Sequence, residues 1–204
     1  MATDLGELLV VDARKTYVAM GRTVAALRGI SAHIPRGEIA AVIGTNGSGK
    51  STLLQAIGGL LHLDGGSVYM GPREVSRISK AELGRLRGIL YQEPLRSLCV
   101  GFTITEMMSL YGDGTSDAAF SNLIETIERL GIDRDRSVST LSVGQQQLLA
   151  LELVLSRRPE LILLDEPTAS LDVQNAALVC ERVLDASKEG VSVVFVSHNL
   201  EEAL

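Results

Sequence analysis

Gly44-Thr45-Asn46-Gly47-Ser48-Gly49-Lys50-Ser51 sets three glycines, a lysine and a closing hydroxyl within eight residues. The segment fits the phosphate-loop pattern G-x-x-x-x-G-K-[ST] without a mismatch. Glycines let the backbone curl until successive N–H groups point at one phosphate, and a helix that follows adds the positive end of its dipole. The Lys50 ammonium suits the β/γ oxygens of a nucleoside triphosphate, and the Ser51 hydroxyl suits Mg²⁺. Gly44, Thr45, Asn46, Gly47, Ser48, Gly49, Lys50, Ser51 and Thr52 are therefore the expected nucleotide-binding segment. A glycine/serine turn could match by chance. The apolar run Ile39–Ile43 before the loop and the helical pattern after it favour the phosphate reading.

A second constellation is Leu161-Ile162-Leu163-Leu164-Asp165-Glu166, an apolar strand ending in two carboxylates. A buried strand that ends in charge needs a reason, since unpaired buried charge is costly. Beside a phosphate loop, Asp165 suits the Mg²⁺ ion, through Ser51 or water. Glu166 is then placed to act as general base on the attacking water. Two acids at a strand end also describe a solvated turn, and only the pairing with Gly44–Ser51 makes the catalytic reading the better one.

The elements that must position these residues follow from periodicity. Short apolar runs predict strands at Leu8–Ala13, Ile39–Ile43, Ser67–Met70, Gly88–Tyr91, Leu161–Leu164 and Val191–Val196, alternating with helical patterns. A helix is expected from Lys50 to about Gly58. Asp172 is expected to cap another, with Val173, Ala176, Cys180, Val183 and Leu184 on its buried face. Between Pro94 and Pro159 strands give way to helical periodicity. There Ser116 is a cap for a helix carrying Phe120, Leu123, Ile124, Ile127 and Leu130 and ended by Gly131. The fold class is α/β. Residues 1–93 and 160–204 are expected to form the core, and 94–159 an inserted helical subdomain.

The 204 residues suit one domain, and 46% are hydrophobic, enough for a buried core. A net charge of -6 argues against a nucleic-acid surface, while a phosphate site built from backbone amides remains compatible with it. The acidic start does not resemble a secretory signal, no apolar run is long enough to span a bilayer, and Cys99 and Cys180 form no metal or redox motif. The expectation is a cytoplasmic chain that meets the membrane only through a partner.

Several further motifs, in order from Tyr17 to His198, resemble the nucleotide-binding domain of ABC ATPases. Lys15-Thr16-Tyr17 resembles the loop whose aromatic ring stacks on adenine, and Gln92 in Tyr91-Gln92-Glu93-Pro94 resembles the Q-loop glutamine, which senses Mg²⁺ and the γ-phosphate. Leu141-Ser142-Val143-Gly144-Gln145 is similar to the signature L-S-G-G-Q. Ser142 and Gln145 also read as a capping box, on an apolar helix running to Pro159 with Arg157 and Arg158 in its last turn. Val143 replaces a glycine of the family pattern, and a β-branched residue there resists positive φ and crowds the approach. Ser170-Leu171-Asp172 is similar to the D-loop, and Ser197-His198 to the loop whose histidine contacts the γ-phosphate.

The resemblance implies a P-loop core with a mostly parallel sheet, an N-terminal antiparallel β portion and the helical insertion. It implies ATP and Mg²⁺ as cofactors. Glu166, His198, Lys50 and Gln92 would be catalytic; Ser51, Gln92 and Asp165 would serve the metal; Tyr17, Gly44–Thr52, Ser142, Gly144 and Gln145 would bind nucleotide. Its partners would be a second copy or a second ATPase subunit, a separate transmembrane permease docking near Leu95–Met108, and a substrate-binding protein if the system imports a solute. The resemblance also implies a strand and helix beyond Leu204. Other readings are a soluble ABC protein acting on ribosomes or nucleic acid, which the composition disfavours, and a regulatory subunit with little turnover.

Overall fold

The computed structural model describes residues 7–19, 21–111 and 120–198. The chain opens with two long antiparallel strands, β1 (Leu8–Ala19) and β2 (Arg22–Ile34), and continues through β3 (Ile39–Ile43) into helix α1 (Lys50–Ile57). Strands β4 (Gly65–Met70) and β5 (Arg73–Glu74), helix α2 (Lys80–Leu86) and strand β6 (Arg87–Leu90) follow. Then come helices α3 (Ile104–Tyr111), α4 (Ser121–Arg129) and α5 (Val143–Ser156), strand β7 (Leu161–Asp165), helix α6 (Val173–Lys188) and strand β8 (Ser192–Ser197).

Two sheets result. The order β2-β1-β4-β5 is antiparallel, and the order β3-β8-β7-β6 is parallel. Strand β7 reads as an unbroken apolar run because both of its faces are covered. Leu161 and Leu163 pack with Leu53, Leu54 and Ile57 of α1 and with Val68 and Met70 of β4. Ile162 and Leu164 pack on the opposite side with Leu148 and Leu151 of α5 and Val179 and Val183 of α6.

Register then fixes where function can sit. Ile43 pairs with Ser197, Asp165 with Val196, and Leu90 with Leu164, so the parallel strands end along one edge. The chain leaves that edge as Gly44, His198, Glu166 and the run to Gln92. Ligands in open α/β sheets bind outside these carboxyl ends.

Several expectations are corrected. Cys180 is exposed, and Val173 and Leu184 are 86% and 52% exposed. The buried face of α6 is Val179, Val183 and Ala186, one stripe at helical spacing. Helix α5 ends at Ser156, so Arg157 and Arg158 lie beyond its last turn, and Arg158 turns left-handed at φ 50°. Strand β2 has no counterpart among the predicted strands, because most of its side chains face solvent and show no apolar alternation. Ser116 and Asn199–Leu204 lie outside the described residues. No helix among the described residues is long and apolar enough to cross a membrane.

Candidate nucleotide site

The phosphate loop is held by close approach. Gly49 sits at φ 99°, and a Cβ there would lie 2.3 Å from the Ala26 carbonyl oxygen of β2. Gly47 is also left-handed, at φ 80°, with open space where a Cβ would stand. Gly44 has room for a Cβ only 2.7 Å from Ser48 Oγ, and the Ser48 N–H donates to the Thr45 carbonyl at 3.2 Å. The left-handed φ at Gly47 and Gly49 favours glycine, and the loop is open beside Gly47.

Lys50 opens α1 and is 9% exposed. Its ammonium donates to the carbonyls of Gly44 at 2.8 Å and Thr45 at 3.2 Å, which hold the charge inside the loop. Ser51 Oγ donates to Asp165 Oδ1 at 3.5 Å, so the hydroxyl and the carboxylate predicted for the metal face one another. Such hard oxygens fit Mg²⁺, which keeps waters and takes few protein ligands.

Glu166 is the next residue after β7, in a left-handed conformation at φ 47°, with its N–H donating to the Val196 carbonyl of β8 at 3.0 Å. A non-glycine residue held there costs of order 1–3 kcal/mol and persists only where the surroundings enforce it. The turn aims the carboxylate between two predicted partners. Gln92 Nε2 donates to Glu166 Oε2 at 3.1 Å, and His198 Nδ1 lies 3.1 Å from Glu166 Oε1. A carboxylate only accepts, so His198 presents Nδ1–H to it. Gln92, Glu166 and His198 come from loops after three different strands and form one cluster.

Tyr17 lies on β1 opposite Val24, two residues along β2 from the Ala26 carbonyl that abuts Gly49. Its ring is half-exposed, with Lys15 Nζ 5.8 Å from the centroid. Ser142, Gly144 and Gln145 lie at the start of α5. The capping box is formed: the Ser142 N–H donates to Gln145 Oε1 at 3.0 Å, and the Gln145 N–H to Ser142 Oγ at 3.3 Å. Val143 is the first helical residue, outside the set with positive φ, and its side chain is 49% exposed. The expected backbone conflict is absent, and its bulk at the surface is what remains.

The need for a small residue at Gly144 has an internal cause that the sequence did not reveal. Gly144 is buried, and a Cβ there would lie 2.6 Å from Asn175 Nδ2 and 2.7 Å from Asn175 Cγ. Asn175 belongs to the first turn of α6, and its Nδ2 donates to Asp172 Oδ2 at 2.7 Å. The start of the signature-like helix thus packs on the start of the helix capped by Asp172.

The Asp165 carboxyl is pushed above its ordinary range, first by burial and then by the Glu166 charge, against the Ser51 hydrogen bond and the charges of Lys50 and Arg96. A raised folded-state value means the fold prefers the protonated form. The nucleotide-free chain therefore loses stability as pH rises from the unfolded value through the folded one. Asp165→Asn is expected to raise the melting temperature at pH 7, with the gain shrinking as pH falls toward the ordinary carboxylate range, where the wild-type carboxyl takes up its proton. Thermal melts at pH 7 and in that range check this. A gain independent of pH would place the cause elsewhere.

A family model described as ABC transporter matches residues 27–169. The lipoprotein-releasing system ATP-binding protein LolD of Alcanivorax borkumensis is 34% identical over 200 residues, covering 93% of this chain and 86% of the relative. The methionine import ATP-binding protein MetN of Thermobifida fusca is 31% identical, over 94% of this chain and 62% of its own length. A putative ABC transporter ATP-binding protein of Vibrio vulnificus is 28% identical, and the chain spans 35% of its length. Among solved structures, the ATP-binding cassette MJ0796, in a dimeric post-hydrolysis state bound to ADP and Pi, superposes with a TM-score of 0.81 at 26% identity, over 96% of this chain and 90% of that one. With its phosphate loop, acidic strand end and capped signature-like helix in this arrangement, the chain belongs to the ABC transporter family of ATPases, as an ATP-binding cassette.

Proposed function

We propose that this chain binds MgATP at Gly44–Thr52, closes face to face with a second copy or a second ATPase subunit, and hydrolyses the nucleotide to power a separate transmembrane permease. The observation that carries this is the Glu166 carboxylate, held between Gln92 and His198 on the edge where the phosphate loop leaves β3. In that arrangement Lys50 moves from its own loop carbonyls to the β/γ oxygens, and Ser51, Asp165 and Gln92 serve the ion. Mg²⁺, when bound, supplies positive charge across the phosphate oxygens. Glu166 takes a proton from the attacking water, and His198 and Gln92 orient that carboxylate. Tyr17 offers its exposed ring to the adenine. The start of α5, with Ser142, Gly144 and Gln145, caps the nucleotide of the opposing chain.

The capping face requires two chains for each complete site, so hydrolysis per mole of chain should rise with protein concentration. Lys50→Ala should weaken ATP binding about 10–100-fold, the scale of a lost hydrogen bond to charge. Steady-state hydrolysis over a dilution series, with light scattering of the same samples, tests the reading. A concentration-independent rate from a monomer would remove the two-chain site, and failure to bind ATP would remove the whole reading.

The solute we infer is imported, by analogy with the methionine import relative; a permease and a substrate-binding protein would then complete the assembly at the inner face of the cell membrane. This chain covers 86% of the lipoprotein-releasing relative against 62% of the importer, which favours a second reading, in which the system releases a lipoprotein. Uptake into vesicles reconstituted with the permease, against release from them, separates the two.

A further inference from the structure

Glu152 lies in the middle of α5 and its side chain is 1% exposed, although the helix around it is apolar. Such a charge needs partners, and it has them on two other helices. Arg182 of α6 donates to Glu152 Oε1 through Nε at 2.5 Å and to Oε2 through Nη2 at 3.3 Å. Thr126 of α4 donates its hydroxyl to Glu152 Oε1 at 3.2 Å. Arg182 is itself 19% exposed and faces Asp185 at 3.6 Å. A second tie between outer helices runs from Arg129 of α4 to Glu181 of α6 at 3.5 Å.

Beyond the apolar packing of Leu148 and Leu151 with Val179 and Val183, this fork is one polar fixed point between α5 and α6. A close approach of Gly144 to Asn175 lies about 12 Å away along α5 at 1.5 Å per residue. Two points of contact set an angle. A planar guanidinium on a carboxylate also fixes direction, which an apolar contact of the same size does not. The helix ends carried by these two rods are Ser142 at the cap of α5 and Asp172 at the cap of α6.

We propose that Glu152 and Arg182, closed by Thr126, form a strut that holds the cap of α5 and the cap of α6 at one angle, so that both meet the opposing chain as a single rigid edge. The two are positioning residues: neither lies at the nucleotide, and they act through Ser142, Gly144 and Gln145. The inference rests on the two-chain site proposed above. Loosening the strut leaves each chain's own ATP binding intact and makes closure harder.

Removing one partner alone strands a buried charge and damages the fold whatever its role. The informative variant replaces both, Glu152→Leu with Arg182→Leu, which restores an apolar contact without a direction. It is made in a Glu166→Gln chain, where closure can be read without turnover. Light scattering against ATP concentration should show the half-closure point raised about tenfold, while monomer ATP affinity stays within about twofold and the melting temperature is kept. An unchanged half-closure point would overturn the strut. Failure of the Glu166→Gln chain itself to dimerise would instead overturn the two-chain reading. If the double variant does not fold, Arg182→Lys retains the charge and loses the fork. The half-closure point should then rise about threefold, and no rise would overturn the proposal equally.

Discussion

Glu166→Gln is expected to lower steady-state ATP hydrolysis by about 10²–10⁴-fold, the usual contribution of a positioned general base, while ATP affinity changes by no more than about twofold. The geometry explains why glutamine is the informative replacement. Glu166 accepts from Gln92 on one oxygen and from His198 on the other. A glutamine keeps the length and one accepting oxygen, which stays on His198 Nδ1–H. Its amide would then face Gln92, whose own amide needs only to turn over to present an oxygen. The left-handed turn at φ 47° and its bond to the Val196 carbonyl involve backbone alone and survive the change. What is lost is the ability to take a proton. With chemistry blocked and binding kept, the two-chain form should accumulate in MgATP and appear by light scattering as a doubled mass. A residual rate within tenfold of wild type would mean that another group activates the water, and Glu166 would fall back to a structural role beside His198.

The sequence made the strands of the parallel sheet legible where both faces are covered, since Leu161–Leu164 then has to be continuously apolar. It hid β2 for the opposite reason: the strand lies at the edge of its sheet, mostly in solvent, and carries glycine at φ 95° where a strand would ordinarily avoid it. On α6 the apolar residues Val173 and Leu184 misled, because a surface tolerates scattered apolar side chains and only the packed stripe is constrained. The phosphate loop was readable because its chemistry is contiguous. Gln92, Glu166 and His198 were readable only as separate motifs, and their meeting depends on strand order, which no local pattern encodes. Glu152 and Arg182 were invisible: they are 30 residues apart, and each taken alone is an ordinary charge on a helix.

Gly144→Ala is expected to cost about 1–3 kcal/mol of stability, the range for forcing a methyl into a packed contact. For a chain of this size that corresponds to a melting temperature lower by roughly 2–12 °C. The added Cβ would stand 2.6 Å from Asn175 Nδ2, and Asn175 cannot simply swing aside, because that nitrogen is tied to Asp172 Oδ2 at 2.7 Å. Asn175→Ala removes the colliding atoms and leaves the cap intact, since Asp172 still accepts from the Asn175 backbone N–H at 2.9 Å. The remaining approach, to Asn175 Cβ at 3.1 Å, asks for a shift of a few tenths of an ångström. The double variant should therefore recover most of the lost stability, giving a favourable coupling between the two sites in a double-mutant cycle. Additive losses would mean that Asn175 yields easily and that packing is not what Gly144 serves. The same pair separates the two needs for a small residue here. If packing is the whole requirement, the Gly144→Ala, Asn175→Ala chain regains ATP-dependent dimerisation along with its melting temperature. If the phosphate of the opposing chain must also come close to the start of α5, the melting temperature returns and dimerisation does not.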